Sequence, residues 1–327
     1  NTKSIYYNDV NLIASPATIE HRSSIPIELN RVIVSPMSAV VGSEFALEAL
    51  KLGLTVCLHK FCDVNETVNL YGNLKFLNTS AANDRLFVSV GLNDNDRIIN
   101  TAKLGASNYL IDCANGYLPQ IKNTINYLLD NVPIQSLIVG NVMTRQGISL
   151  YKEYSGKIPM GLSIRVGIAG GAACSTSDIT GFNRGQITEL IETSEEADLW
   201  DFNVIADGGI KNGNYAAKAF GCGAQYVMLG GYFARAIQAY THIIKDGTFW
   251  GGASHKQQEL YGGIRRHSEG KIFTIPKEEI RPLNELVDDL WGGLASAVSY
   301  SGYKTLTEFI GNGTFEIKEN SLPPKSR

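Results

Sequence analysis

The sequence predicts an α/β protein built as a (β/α)8 TIM barrel, and three observations carry that expectation. Eight short β-branched or apolar runs recur along the chain, longer amphipathic stretches separate them, and several runs end in glycine or reactive polar residues. Runs that are apolar throughout belong to parallel strands covered on both faces. Eight strand–helix units close on themselves and place function at the carboxyl ends of the strands. An open doubly wound sheet is the competing architecture. No Gly-x-Gly-x-x-Gly opens a helix after the first run, so the barrel is preferred.

The candidate strands are 32–36, 54–59, 86–90, 109–112, 136–140, 160–166, 203–206 and 226–229. Amphipathic stretches at 44–52, 95–104, 118–130 and 214–220 read as covering helices. The runs end at Asp112-Cys113-Ala114-Asn115-Gly116, Gly140-Asn141, Asp207-Gly208-Gly209 and Gly230-Gly231. Residues 232–290 break the strand–helix rhythm and read as an inserted lid or flap. The acidic cluster Glu192, Glu195, Glu196 and Asp198 reads as a solvated helix face, and the tail from Gly311 is expected to be ordered only in part. Residues 1–327 are taken as one catalytic domain.

Composition narrows the function classes. The chain has 327 residues, of which 44% are hydrophobic and 19% charged, enough for one large core. Twenty-nine basic against 32 acidic residues leave a formal charge of -3, without the basic excess of a nucleic-acid binder. No apolar stretch approaches a membrane span, and the first residues carry no secretory h-region, so a cytoplasmic enzyme is expected. Five scattered cysteines without a CxxC pair fit reduced thiols.

Two features carry chemistry. Cys174 lies in the glycine-rich loop after the sixth run, Gly167-Ile168-Ala169-Gly170-Gly171-Ala172-Ala173-Cys174-Ser175-Thr176, where backbone N–H groups can favour a thiolate or bind an anion. A cysteine filling a turn is the plain alternative. Gly208-Gly209 and Gly230-Gly231 end the seventh and eighth runs, where barrels commonly grip phosphate through exposed N–H groups. Lys60, Asp112 and Asn141, read alone, are strand-end residues that face solvent or satisfy turns. His59, His242 and His255 lack metal-ligand spacing and read as surface or packing residues.

These stretches together resemble the IMP dehydrogenase and GMP reductase family. The resemblance runs from Tyr7-Asn8-Asp9 to about Thr305. It rests on Ser35-Pro36-Met37, His59-Lys60, Asp112-to-Tyr117, Gly140-to-Thr144, the Cys174 loop, Ile205-to-Gly209, Val227-to-Gly231 and Gly292-Gly293. The Asp-x-Ala-Asn-Gly-Tyr form at 112–117, the segment Arg266-His267-Ser268-Glu269-Gly270-Lys271 and the lack of a CBS pair after Lys60 favour the reductase branch. The resemblance implies NADPH-dependent reductive deamination of a guanine nucleotide, and a homotetramer. It makes Cys174 the nucleophile, with Thr176 and Glu269 handling protons. The nucleotide would meet Met37, Asn141, Asp207, Gly208, Gly209, Gly230, Gly231, Arg266 and Gly270. The cofactor would meet Lys60, Asp112, Asn115 and Gly116, with Lys60 and Asp112 also counted as catalytic. A monovalent cation such as K+ would sit against Gly170, Gly171 and Cys174. An NAD-dependent IMP dehydrogenase and a non-catalytic purine nucleotide-binding barrel are the alternatives.

The chain departs from the family pattern in three places. Ser38 follows Met37 where the family carries Asp, and Gly170-Gly171-Ala172-Ala173 replaces a Gly-Pro-Gly-Ser form. Tyr261 reaches Glu269 in eight residues where reductases take over twenty. That shortening is expected to cost a Met-Ser-Ser stretch against the purine and to leave the base edge open.

Overall fold

The first strand, β1 (Val10–Leu12), stands outside the sheet that dominates the molecule. That sheet is a closed barrel of β2 (Val32–Val34), β3 (Thr55–Leu58), β4 (Leu86–Val90), β5 (Asn108–Ile111), β6 (Ser136–Val142), β7 (Leu162–Val166), β8 (Asn203–Asp207) and β9 (Tyr226–Leu229). Every neighbouring pair is parallel, and β9 closes on β2 through Val32↔Val227 and Val34↔Leu229. This is a computed structural model, and it describes all residues except 1–3, 17–18, 20, 27, 263–269 and 319–327.

All eight expected runs are barrel strands. The first stops at Val34, before Pro36, whose missing N–H cannot join a ladder. β6 runs two residues further than the sequence suggested, across a register shift between Gly140 and Val142. Gly140 permits this: a Cβ there would stand 2.7 Å from the Arg165 carbonyl oxygen on β7.

The barrel encloses a narrow plug of Ile33, Cys57, Phe87, Leu110, Ile138, Ile205 and Met228, of which Met228 reaches the cleft at the strand ends. Residues of the opposite parity, such as Val34, Val56, Val88, Val139 and Val204, pack outward under the helices. The four expected helices are present at Ser43–Lys51, Asn95–Lys103, Gln120–Asn131 and Gly213–Gly221. Val64–Leu77, Gln186–Asp198 and Leu283–Tyr300 complete the main coat. The first of these is announced by Asp63 and Glu66, which form a reciprocal capping box.

The insertion holds a two-stranded antiparallel ribbon, β10 (Thr248–Trp250) and β11 (Ile272–Thr274), joined in part by the helix His255–Tyr261. Trp250 buries its ring and donates Nε1–H to Ser38 Oγ at 3.1 Å, while Ser38 donates to Gln257. Ser38 therefore fastens the insertion to the barrel, which accounts for a small hydroxyl in that place. β12 (Phe315–Ile317) pairs antiparallel with β1, so the tail is structured at least through the strand. The acidic cluster is more than a solvated face. Glu195 pairs with Arg145, Glu192 with Arg184 at 2.6 Å, and Glu196 accepts from Ser149 and Trp200. Among the described residues no helix is long and apolar enough to cross a membrane.

Candidate active site

The strand ends open into a cleft of about 1430 Å³. Its wall includes Met37, Lys60, Asp112, Asn115, Asn141, Gly170, Gly171, Cys174, Thr176, Asp207, Gly208, Gly209, Gly230, Gly231 and Gly270, residues the sequence had singled out from eight separate segments. Gly116 is the exception. Its N–H donates to the Asn141 carbonyl at 2.8 Å, and a Cβ would collide with that oxygen, so it joins two loops from behind the wall. Arg266 and Glu269 lie outside the described residues.

Close backbone packing brings the cysteine loop against the first glycine pair. Gly167 has φ +131°, and a Cβ there would stand 1.9 Å from the Asp207 carbonyl oxygen. Gly208 has φ +92°, and its Cβ would reach the Gly170 backbone at 2.8 Å. Only glycine satisfies both demands, so the loops after β7 and β8 act as one surface. Gly230 leaves room for the Met37 sulfur, which a Cβ would meet at 2.5 Å.

Cys174 is partly exposed and its thiol points at Thr176 Oγ1, 3.2 Å away. Gly270 bridges to Cys174 in antiparallel fashion, Lys271 N–H donates to the Ala173 carbonyl at 2.9 Å, and Gly251 N–H donates to Lys271. Lys271 also pairs with Asp178 at 2.6 Å. The ribbon thus holds the cysteine loop from outside. Gly251, Gly252 and Ala253, just after β10, line the cleft beside this bridge. Phe61 stands 2.9 Å from where a Cβ on Gly252 would be. Residues 263–269, on whose short connection the expectation of an open base edge rests, lie outside the described residues.

A charge network spans the mouth. The Arg165 guanidinium contacts Asp112 Oδ1 at 3.1 Å and Asp207 Oδ2 at 2.8 and 3.1 Å. Lys60 reaches the other Asp112 oxygen at 3.6 Å and donates to the Asp112 carbonyl. Asn141 Nδ2 donates to Asp207 at 2.7 Å and to the Gly167 carbonyl at 2.9 Å. Burial alone would raise the Asp112 pKa, but Lys60 and Arg165 outweigh it and hold the carboxyl below its usual range. For Arg165, burial opposes the charge, and Asp207 and Asp112 more than restore it.

Sequence reasoning missed Arg165, although the signal was available: a lone cation inside an apolar barrel strand requires buried counter-charges. Tyr117 entered the sequence reading only as the end of the Asp-x-Ala-Asn-Gly-Tyr form; its hydroxyl accepts from Met143 N–H at 3.1 Å and bonds Thr144 Oγ1 at 2.8 Å, locking two cleft loops together. His59 is a packing residue as expected, buried against Phe61 and Tyr261.

The residues suit a nicotinamide dinucleotide. Lys60, an ionised Asp112 and Asn115 offer a cation, an anion and an amide along one wall. In the loop expected to hold a cation, the Gly171 carbonyl accepts the Cys174 N–H at 3.0 Å. Among the described residues no cluster of three or more His, Cys, Asp or Glu side chains could hold a metal.

A parallel barrel with a cysteine and two glycine-pair loops converging at its carboxyl face defines an α/β-barrel with an enzyme-like strand-end site. The model of the IMP dehydrogenase / GMP reductase domain matches residues 5–322, and the chain belongs to that family. It is 29% identical to the GMP reductase of Caenorhabditis elegans over 345 aligned residues, covering 96% of this chain and 92% of that protein. The GMP reductase of Onchocerca volvulus is 30% identical, with 87% and 79% covered, and that of Shewanella pealeana is 27% identical, with 97% and 96% covered.

Proposed function

We propose that this protein is a GMP reductase-type oxidoreductase, converting a guanine nucleotide to the inosine nucleotide and ammonia with NADPH. The observation that carries the reading is the convergence of Cys174, Thr176 and the two glycine-pair loops on one cleft, in a chain whose relatives bear that name. A binding module needs the phosphate loops but no nucleophile beside a hydroxyl.

Gly208, Gly209, Gly230 and Gly231 present backbone donors to the 5′-phosphate, and Asp207 accepts from ribose hydroxyls. Met37 packs against the purine, while residues 251–253 and Gly270 border its edge. The Cys174 thiolate adds to C2, which divides amine displacement into two easier steps. Thr176, with Glu269 by resemblance, delivers a proton to the departing amine, so ammonia leaves and Cys174 stays bonded to C2. NADPH, when bound, supplies a hydride to C2. Expulsion of the thiolate then yields the inosine nucleotide. Lys60, Asp112 and Asn115 hold the cofactor along the opposite wall. Met37, Arg266 and Gly270 act on the nucleotide, and a K+-type cation at Gly170, Gly171 and Cys174 and a homotetramer complete the proposal.

The test follows absorbance of reduced nicotinamide with GMP, dGMP and IMP in turn. Loss of the NADPH band with GMP or dGMP is expected. Formation of reduced cofactor from NAD+ and IMP would overturn the reading in favour of a dehydrogenase.

A further inference from the structure

We propose that Arg165 is a positioning residue that makes nucleotide and cofactor binding cooperative, by holding Asp207 on the nucleotide side and Asp112 on the cofactor side with one guanidinium. The proposal rests on the function above for the sidedness of the two carboxylates. The geometry supplies the link. Asp207 leads directly into Gly208-Gly209 and is held by Asn141, whereas Asp112 heads the Asn115 loop and is held by Lys60. Arg165 stands between them on β7, with only 9% of its side chain exposed, and bonds to both.

A buried cation between two anions has no third partner to turn to, because water reaches it poorly. Asp207 Oδ2 already receives Nε and Nη2 of Arg165 and Nδ2 of Asn141, so a hydroxyl bonding to Asp207 meets Oδ1 and draws the carboxylate's charge away from the guanidinium. The guanidinium then leans toward Asp112, fixing that carboxylate for the second ligand. The planar fork matters here. Lysine carries the same charge as a point and cannot serve two carboxylates at fixed angles. Also facing this network are Lys60 from the loop after β3, Asn141 from β6, the buried Cys57 and His59 of the β3 segment, whose own titrations feel Asp112, and the buried Glu189 and Tyr7, which feel Asp207. Coupling of this kind is reciprocal, so each ligand must tighten the other by the same factor.

The test uses the full chain, with GMP and NADP+ as a non-reacting pair, and measures the NADP+ Kd with and without saturating GMP by calorimetry. For the wild type, GMP should tighten NADP+ at least fivefold, and NADP+ should tighten GMP equally. In Arg165→Lys that factor should fall below two. Should the lysine variant fail to fold, Asp112→Asn gives a second reading. Although Asp112 lies on the cofactor side, its loss should change the GMP Kd at least threefold in the absence of cofactor. Independent binding in the wild type, an undiminished factor in Arg165→Lys, or an unmoved GMP Kd in Asp112→Asn would overturn the proposal while leaving the proposed function intact. No binding of GMP at all would remove the proposed function, and this proposal with it.

Discussion

Acid should weaken this barrel through His59. The imidazole is 5% exposed, packed against Phe61 and Tyr261, with Cys62 Sγ 3.6 Å from Nδ1. Burial first, and the nearby Arg97 second, push its pKa from 6.5 down to about 4, against a smaller opposing pull from Asp112. The folded state therefore keeps His59 neutral in a range where the unfolded chain binds a proton. Because the unfolded state takes up more protons, stability falls as pH drops from about 6.5 toward about 4. Each pH unit in that interval is worth about 1.4 kcal/mol, so the full loss is about 3 kcal/mol. At pH 4.5 most of it is present, equivalent to roughly 5 °C in Tm for a chain of this size. The assay compares melting of wild type and His59→Gln at pH 7.5 and pH 4.5. Glutamine does not titrate, so the wild type should lose about 5 °C more than the variant on acidification. Parallel losses in the two proteins would refute the reasoning.

Three further outcomes follow from the same structure. Cys174→Ala should abolish turnover while leaving GMP affinity within about tenfold, because the sulfur bonds to C2 and the phosphate loops carry the grip. Kinetics and calorimetry on the same preparation check this, and residual wild-type turnover would sink it. Glu189→Gln should raise Tm at pH 7 to 8. Burial first, with Asp207 adding to it against Arg184, pushes the Glu189 pKa well above 4.5, and Oε2 has no hydrogen-bond partner. The carboxyl's stabilising protonation is lost as pH rises through the folded value, a loss glutamine does not suffer; an unchanged melting profile across pH 5 to 8 would contradict this. Gly167→Ala should cut kcat/KM by at least about a hundredfold, since a Cβ 1.9 Å from the Asp207 carbonyl must part the cysteine loop from the phosphate loop. Unaltered kinetics would show that the two loops need not touch.

The barrel was legible because parallel strands buried on both faces leave continuous apolar runs, and each of the eight is a strand. The cleft was legible for a related reason. Residues at strand ends must converge once the barrel closes, which is why Cys174, Asp207 and Gly230 meet without any local signal joining them. What escaped depends on three-dimensional pairing. Arg165 gains its meaning only from Asp112 and Asp207, which lie 53 and 42 residues away along the chain. Gly251 to Ala253 were not singled out as site residues, because the β10–β11 ribbon that carries them back to Cys174 forms by antiparallel pairing across the insertion. Ser38 looked like a lost acid, yet its hydroxyl anchors Trp250 and Gln257.

The central claim is that Cys174 carries a guanine nucleotide through loss of its 2-amino group and reduction at the same carbon. The most direct measurement is ammonia released per NADPH oxidised with GMP or dGMP, on wild type and Cys174→Ala side by side. One ammonia for each NADPH in the wild type and neither product in the variant is the predicted result. NADPH consumption without ammonia, or equal release by the alanine variant, would contradict it.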